Sequence, residues 1–175
     1  MKDEIRYVQK IKRKYFEGVR REFADEVIYQ NFMTVYGAYK SFFIYNSFGT
    51  EADTKRIIAG CLEAGKDVYL PKVEGENIFP VPYGEMKKGA FGVEEPCGQA
   101  YKGNIDVAVI PLLAVNDRGF RLGYGKGYYD RFLKGRNIIK VGLGYGFQLA
   151  DFKEDGWDEP LDSFLTEKGI YYFGK

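Results

Sequence analysis

The sequence predicts an α/β fold: a single domain over residues 1–175 with a mostly parallel sheet flanked by helices, in the open doubly wound arrangement. Three observations lead there. Ile105 to Ile110 (IDVAVI) and Ile138 to Leu143 (IIKVGL) are apolar almost without a break, as expected of strands buried on both faces. A helical segment, Tyr128 to Leu133, lies between them, and strands alternating with helices favour parallel pairing. Finally, 175 residues with 45% apolar content are enough for one sizeable core.

The elements follow in order. Residues 2–40 contain no proline, and Ile5, Val8, Ile11 and Tyr15, then Phe23, Val27 and Ile28, recur at helical spacing. This predicts two helices, parted near Gly18. Ser41 to Asn46 (SFFIYN) predicts a buried strand. The run from Thr50 to Asp53 resembles a capping box opening a helix with Ile57, Ile58, Cys61 and Leu62, which Gly65 would end. Asp67 to Leu70 predicts a strand closed by Pro71, and Asn77 to Pro82 an extended edge segment with two prolines. Residues 83–104, rich in Gly, Lys and Glu, predict a long surface excursion such as a substrate-binding loop.

Composition narrows the function. The 26 Lys plus Arg nearly cancel the 25 Asp plus Glu, so no overall field favours nucleic acid or an anionic membrane. No apolar stretch has the length of a membrane span or of a signal peptide's core, and Cys61 and Cys97 match no metal-ligand spacing. A soluble protein of the reducing cytoplasm, without nucleic-acid or membrane partners, is the expectation. The chain has no histidine, so proton transfer near neutral pH falls to Asp, Glu, Lys, Tyr or solvent.

The densest chemistry lies in Arg121 to Asp130, RLGYGKGYYD. Gly119, Gly123, Gly125 and Gly127 fall within nine residues, interleaved with Arg121 and Lys126 and followed by a helix. Glycines let backbone N–H groups turn toward a phosphate, and the cations add charge-assisted donors. The spacing is neither a P-loop, since no Ser or Thr follows Lys126, nor the dinucleotide fingerprint. Asp130 is placed either to hold a magnesium ion against the phosphates or to complement the helix dipole.

The same run resembles the signature of the 5-formyltetrahydrofolate cyclo-ligases, also called methenyltetrahydrofolate synthetases. Lys2 and Arg6 match that family's Lys-x-x-x-Arg, Ser47 to Thr54 (SFGTEADT) its substrate-side segment, and LPKV at 70–73 its next strand. Gly92 to Pro96 (GVEEP) and Asp158 to Glu167 (DEPLDSFLTE) match its later pieces. The resemblance implies an enzyme, a C–N bond-forming ligase that uses ATP and Mg2+ to convert 5-formyltetrahydrofolate, free or polyglutamated, to 5,10-methenyltetrahydrofolate. Lys2, Arg6, Arg121, Leu122, Gly123, Tyr124, Gly125, Lys126, Gly127, Tyr128 and Tyr129 would bind ATP. Asn46 and Glu51 would face the folate; Arg121, Lys126 and Tyr129 would act in catalysis; Asp130 and Asp158 would hold the metal. A carboxylate at Glu51 suits the paired N–H donors of a pterin ring, and this is favoured over the plain reading of an acidic residue in a helix's first turn. Val115 and Asn116 depart from the family's usual Phe-Asp, and Trp157 precedes Asp158 where His or Asn is common, leaving Asp162 as the alternative second carboxylate. A monomer is expected. A sugar-phosphate isomerase-like enzyme and a non-catalytic nucleotide-binding module are the competing readings.

Overall fold

The structure, a computed structural model, describes residues 1–174. In chain order its elements are α1 (Lys2–Tyr15), α2 (Val19–Tyr36), β1 (Ser41–Ile44), α3 (Lys55–Glu63), β2 (Asp67–Glu74), β3 (Asn77–Pro82), β4 (Met86–Lys88), β5 (Glu94–Pro96), β6 (Val107–Ile110), β7 (Ala114–Val115), β8 (Arg121–Leu122), α4 (Tyr128–Leu133), β9 (Ile139–Leu143), β10 (Ser163–Thr166) and β11 (Gly169–Tyr172). Seven strands form one sheet in the order β11-β10-β9-β6-β1-β2-β3. The five inner strands run parallel, while β3 and β11 pair antiparallel at the edges.

Both faces of the sheet are covered, which explains the unbroken apolar runs. On one side Ile28 and Phe32 of α2 and Ile57 and Cys61 of α3 pack on Phe42, Ile44, Val107, Val109 and Val141. On the other, Phe132 and Leu133 of α4 pack with Phe43, Ala108, Ile110 and Phe164. The crossovers β1–α3–β2 and β6–α4–β9 leave neighbouring strands in opposite directions along the sheet. Right-handed crossovers then place their helices on opposite faces, and a crevice opens between the C-terminal ends of β1 and β6.

Several expectations are corrected. The capping box at Thr50 does not form, and α3 begins at Lys55 with Thr54 as its N-cap. Thr54 Oγ1 is instead committed to the Tyr45 carbonyl at 2.6 Å and the Ser47 N–H at 2.9 Å, and Asp53 accepts from the Lys55 N–H. Pro71 does not close β2. It sits opposite Pro80 in the β2–β3 ladder, and the Pro80 carbonyl points away from β2 to accept from Tyr101 N, so the missing proline N–H groups cost that ladder nothing. Residues 83–104 contain the β4–β5 hairpin rather than an unbroken loop.

Helix α1 departs furthest. Val8, Ile11 and Tyr15 are exposed, and the helix buries Gln9 and Arg13. Its apolar spacing marks a helix correctly but not the face that packs. No described helix is long and apolar enough to cross a membrane.

Candidate active site

A cleft of about 890 Å³ opens at the crevice between β1 and β6, within the size range of small-molecule sites. Tyr45 and Asn46, just beyond β1, and Pro111, just beyond β6, lie on its walls. Every residue singled out from the sequence as a ligand contact lines it: Lys2, Arg6, Asn46, Glu51, the whole run 121–130, and Asp158.

The glycine-rich segment is a loop between the short β7–β8 hairpin, which the sequence did not reveal, and α4. Gly125 and Gly127 have φ of 96° and 73°, a region that favours glycine and turns successive amides along a curved path. At Gly123 the reason for glycine is space, since a Cβ there would lie 2.6 Å from the Arg121 guanidinium. Helix α1 lies alongside. Arg6 Nε donates to the Gly123 carbonyl at 2.8 Å, and Lys2 Nζ pairs with Asp155 at 2.7 Å. Lys126 is exposed on the cleft wall.

Arg121 is the buried cation of this half. Its guanidinium donates to the Pro111 carbonyl at 3.3 Å, lies 3.7 Å from Asp130 Oδ2 and covers the Tyr129 ring at 5.3 Å, while its Nε has no partner. Burial lowers its proton affinity and the Asp130 charge opposes that shift. Asp130 is pushed up by burial, held down by Arg121 and raised again by the negative charge of Asp158. Asp158 Oδ2 accepts from the Asp155 N–H at 2.8 Å.

Of the two candidates for the second carboxylate, the structure brings Asp158 to the cleft and not Asp162. Asp162 accepts from the Lys140 N–H at 2.7 Å, where it bridges the entries of β9 and β10. Among the described residues no group of three or more carboxylates or cysteines forms a ready-made metal centre. Asp130 and Asp158 are two carboxylates facing one cleft beside the phosphate loop, which suits magnesium, an ion that takes one or two carboxylates and fills its remaining sites with phosphate oxygens and water.

The opposite end of the cleft is built on residues 45–55. Glu51 stands ahead of α3, so the helix-first-turn reading does not hold. Its Oε1 accepts from the Phe48 N–H at 2.8 Å and its Oε2 lies 3.4 Å from the Tyr124 hydroxyl. Burial raises its pKa; the Phe48 N–H, the charge of Arg13, the Tyr124 hydroxyl and the charge of Lys55 lower it. The Asn46 side chain bridges the Lys55 ammonium at 3.0 Å and the Glu94 carbonyl at 3.4 Å. Tyr129 lies between the two halves, its hydroxyl held protonated by burial.

Sequence reasoning missed Lys10, Arg13, Tyr45, Phe48, Phe91 and Asp155, all on the cleft walls. The signal for two of them was present: Lys2, Arg6, Lys10 and Arg13 follow a spacing of four, four and three, one face of a helix. Trp157 also lines the cleft and is 70% exposed, so its departure from the family pattern places an aromatic surface beside Asp158. Val115 and Asn116 are buried outside the cleft. Asn116 closes the β7–β8 turn by accepting from the N–H groups of Arg118 and Phe120.

Comparison with known proteins gives a consistent result. The sequence profile of the 5-formyltetrahydrofolate cyclo-ligase family matches residues 1–167. The 5-formyltetrahydrofolate cyclo-ligase of Haemophilus influenzae is 32% identical over 141 residues, covering 73% of this chain and 75% of that protein. That of Mycoplasma genitalium is 49% identical over 64 residues, a match spanning 35% of this chain and only 39% of that protein. The solution structure of Aquifex aeolicus 5,10-methenyltetrahydrofolate synthetase superposes with a TM-score of 0.86 at 33% identity, covering 99% of this chain and 93% of the other.

Proposed function

The chain belongs to the 5-formyltetrahydrofolate cyclo-ligase family, and from that premise we propose that its cleft converts 5-formyltetrahydrofolate to 5,10-methenyltetrahydrofolate, consuming ATP and releasing ADP and phosphate. The observation that carries the reading is that one cleft joins a cationic glycine-rich loop at one end to a buried carboxylate, Glu51, at the other. A sugar-phosphate isomerase could take Glu51 as its base but has no need of ATP, so ATP consumption coupled to product separates the two readings.

In this reading the ATP triphosphate lies along Gly123 to Gly127, with Lys2, Arg6 and Lys126 supplying positive charge from both walls. The formyl oxygen attacks the γ-phosphorus while the bond to the bridging β–γ oxygen breaks and ADP leaves. N10 of the folate then bonds to the activated formyl carbon, its proton passes to solvent, and phosphate departs with the former formyl oxygen. Phosphoryl transfer calls for positioning and charge neutralisation rather than a protein nucleophile, so a chain without histidine is adequate to it. Arg121, buried and rigidly held, is placed to stabilise charge on the transferred group. Tyr129, neutral and in the floor of the cleft, closes it against water. Asp130 and Asp158 would hold magnesium, which neutralises phosphate charge when bound. At the pterin's polar edge Glu51 accepts hydrogen bonds, and the Asn46 amide both donates and accepts. All these groups come from one chain, so a monomer suffices, and the free thiols of Cys61 and Cys97 accord with a reducing cytoplasm.

The test is direct: purified protein with magnesium-ATP and 5-formyltetrahydrofolate yields the methenyl product, followed by its near-ultraviolet absorbance, in one-to-one ratio with ADP. ATP binding without product over mildly acidic to neutral pH would instead favour the non-catalytic module.

A further inference from the structure

We propose that Arg13 is a positioning residue for Glu51, acting through the Tyr124 hydroxyl, so that the carboxylate at the folate end is aimed and kept ionised by a chain anchored on α1. The inference rests on the reading that Glu51 faces the folate. Arg13 is 5% exposed and on the cleft wall. Its Nη2 donates to Tyr124 Oη at 2.7 Å, its Nη1 donates to the Leu112 carbonyl at 3.4 Å, and Tyr124 Oη lies 3.4 Å from Glu51 Oε2.

The direction of the protons is forced. A guanidinium carries only donors, so the Tyr124 oxygen must accept from Arg13, and the hydroxyl's own hydrogen is left for Glu51. Together with the Phe48 N–H on Oε1, Glu51 then receives one donor on each oxygen, an arrangement that favours its ionised form. Arg13 has no carboxylate within ion-pair distance among the described residues, an expensive state for a buried cation unless its charge serves a neighbour.

The groups facing Glu51 come from five elements: Arg13 from α1, Tyr45 beyond β1, Lys55 from α3, Tyr124 from the glycine-rich loop and Tyr129 from α4, while Lys10 of α1 lies over the Tyr124 ring. The three tyrosines are all held neutral by burial, which leaves the cations as the charges that oppose the desolvation of Glu51. Without Arg13, Glu51 takes up a proton at higher pH, and a protonated carboxyl no longer accepts paired N–H donors.

Calorimetric binding of 5-formyltetrahydrofolate without nucleotide, so that no turnover occurs, tests this across a series of buffers from acidic to alkaline, since burial moves the Glu51 titration upward. The parent should lose affinity toward the acid end. Arg13→Gln should show that loss at higher pH, with binding roughly tenfold weaker near neutrality, the scale of one charge-assisted contact, and should approach the parent in alkali. Arg13→Lys should recover most of the loss, and ADP binding should change less than about twofold, within ordinary surface variation. Tyr124→Phe, which keeps the buried cation and removes the link, should move the profile the same way by less, and it carries the test if Arg13→Gln does not fold. A folded Arg13→Gln whose profile superimposes on the parent overturns the proposal, as does a pH-independent loss that lysine does not recover. Glu51→Gln separates the two readings. If it leaves folate binding intact, the folate assignment of Glu51 falls; if it weakens binding while Arg13→Gln does not, only the positioning role falls.

Discussion

The two ends of the cleft are built in opposite ways. The loop at 45–55 is fastened by its own chain: Tyr45 Oη donates to the Ala52 carbonyl at 2.7 Å, Thr54 links to Tyr45 and Ser47, and Arg21 from α2 donates to the Glu51 carbonyl at 2.8 Å. Behind it Asp25 accepts from the Tyr145 hydroxyl at 2.7 Å and the Asp53 N–H at 3.3 Å. The loop at 123–127 is held instead by arginines from other elements: the Gly123 carbonyl accepts from Arg6, the Tyr124 hydroxyl from Arg13 and the Lys126 carbonyl from Arg131, while Tyr124, Gly125 and Lys126 stay exposed. In the proposed function the first end is preformed to receive a flat, uncharged ring edge, and the second leaves its donors free for a polyanion that brings its own charge.

The sharpest way to break this comparison is to remove a charge at the polyanion end. Asp130→Asn should cut turnover with magnesium-ATP by about 10²-fold or more, the scale of losing one electrostatic partner of a transition state, while leaving folate binding nearly unchanged; because it strips buried Arg121 of its counter-charge, it should also lower the melting temperature. Excess magnesium should not restore the parent rate. Gly125→Ala comes next. The added methyl meets only Arg6 at 3.8 Å, so the penalty is the left-handed backbone, about 1–2 kcal/mol per non-glycine residue. It should appear as a rise in KM for ATP with KM for folate unaltered.

At the preformed end the effects should move to stability. Thr54→Val keeps the shape but leaves the Tyr45 carbonyl and the Ser47 N–H unpaired in a buried site, costing about 1–3 kcal/mol, visible in urea denaturation. The smallest effect concerns Asp25, whose pKa burial raises above the ordinary 3.8 despite its hydrogen bonds to Tyr145 and Asp53. The native state then holds a proton that the unfolded chain has already released. Stability should therefore be greatest below the ordinary carboxylate value and fall as pH rises through the raised one. Asp25→Asn should flatten that part of the profile in denaturation measured against pH.

The same contrast explains what could be read from the sequence. The glycine-rich loop was legible as a candidate site because its signal is local: glycines, cations and the helix after them are consecutive. The inner strands β1, β6 and β9 were legible because both faces are covered. β10 was not, for it buries Ser163 and Thr166 among its four residues, and Ser163 meets the Tyr36 hydroxyl at 2.6 Å instead of an apolar neighbour. The 45–55 loop was misread as a helix start because the side chains suited to capping at Thr50 serve other partners. Asp155 was invisible as a site residue because its partner Lys2 lies 153 positions away in the chain, and Arg13, whose partner Tyr124 lies 111 positions away, was marked only by its place on the cationic face of the first helix.

Helix α1 is attached to the rest of the molecule almost wholly through polar groups. Only Ile5 adds apolar packing, against Ala114, Leu122 and Phe152, while Lys2, Arg6, Gln9 and Arg13 supply the remaining anchors. A seam of that kind resists water poorly, so α1 is the element expected to open first, ahead of the sheet, and to exchange its amide hydrogens soonest of the long helices. A polyanion bridging Lys2 and Arg6 to the facing loop would close that seam. In the proposed function a bound nucleotide would then be part of what keeps the first helix folded onto the sheet, and slowed hydrogen exchange confined to residues 2–15 would record its arrival.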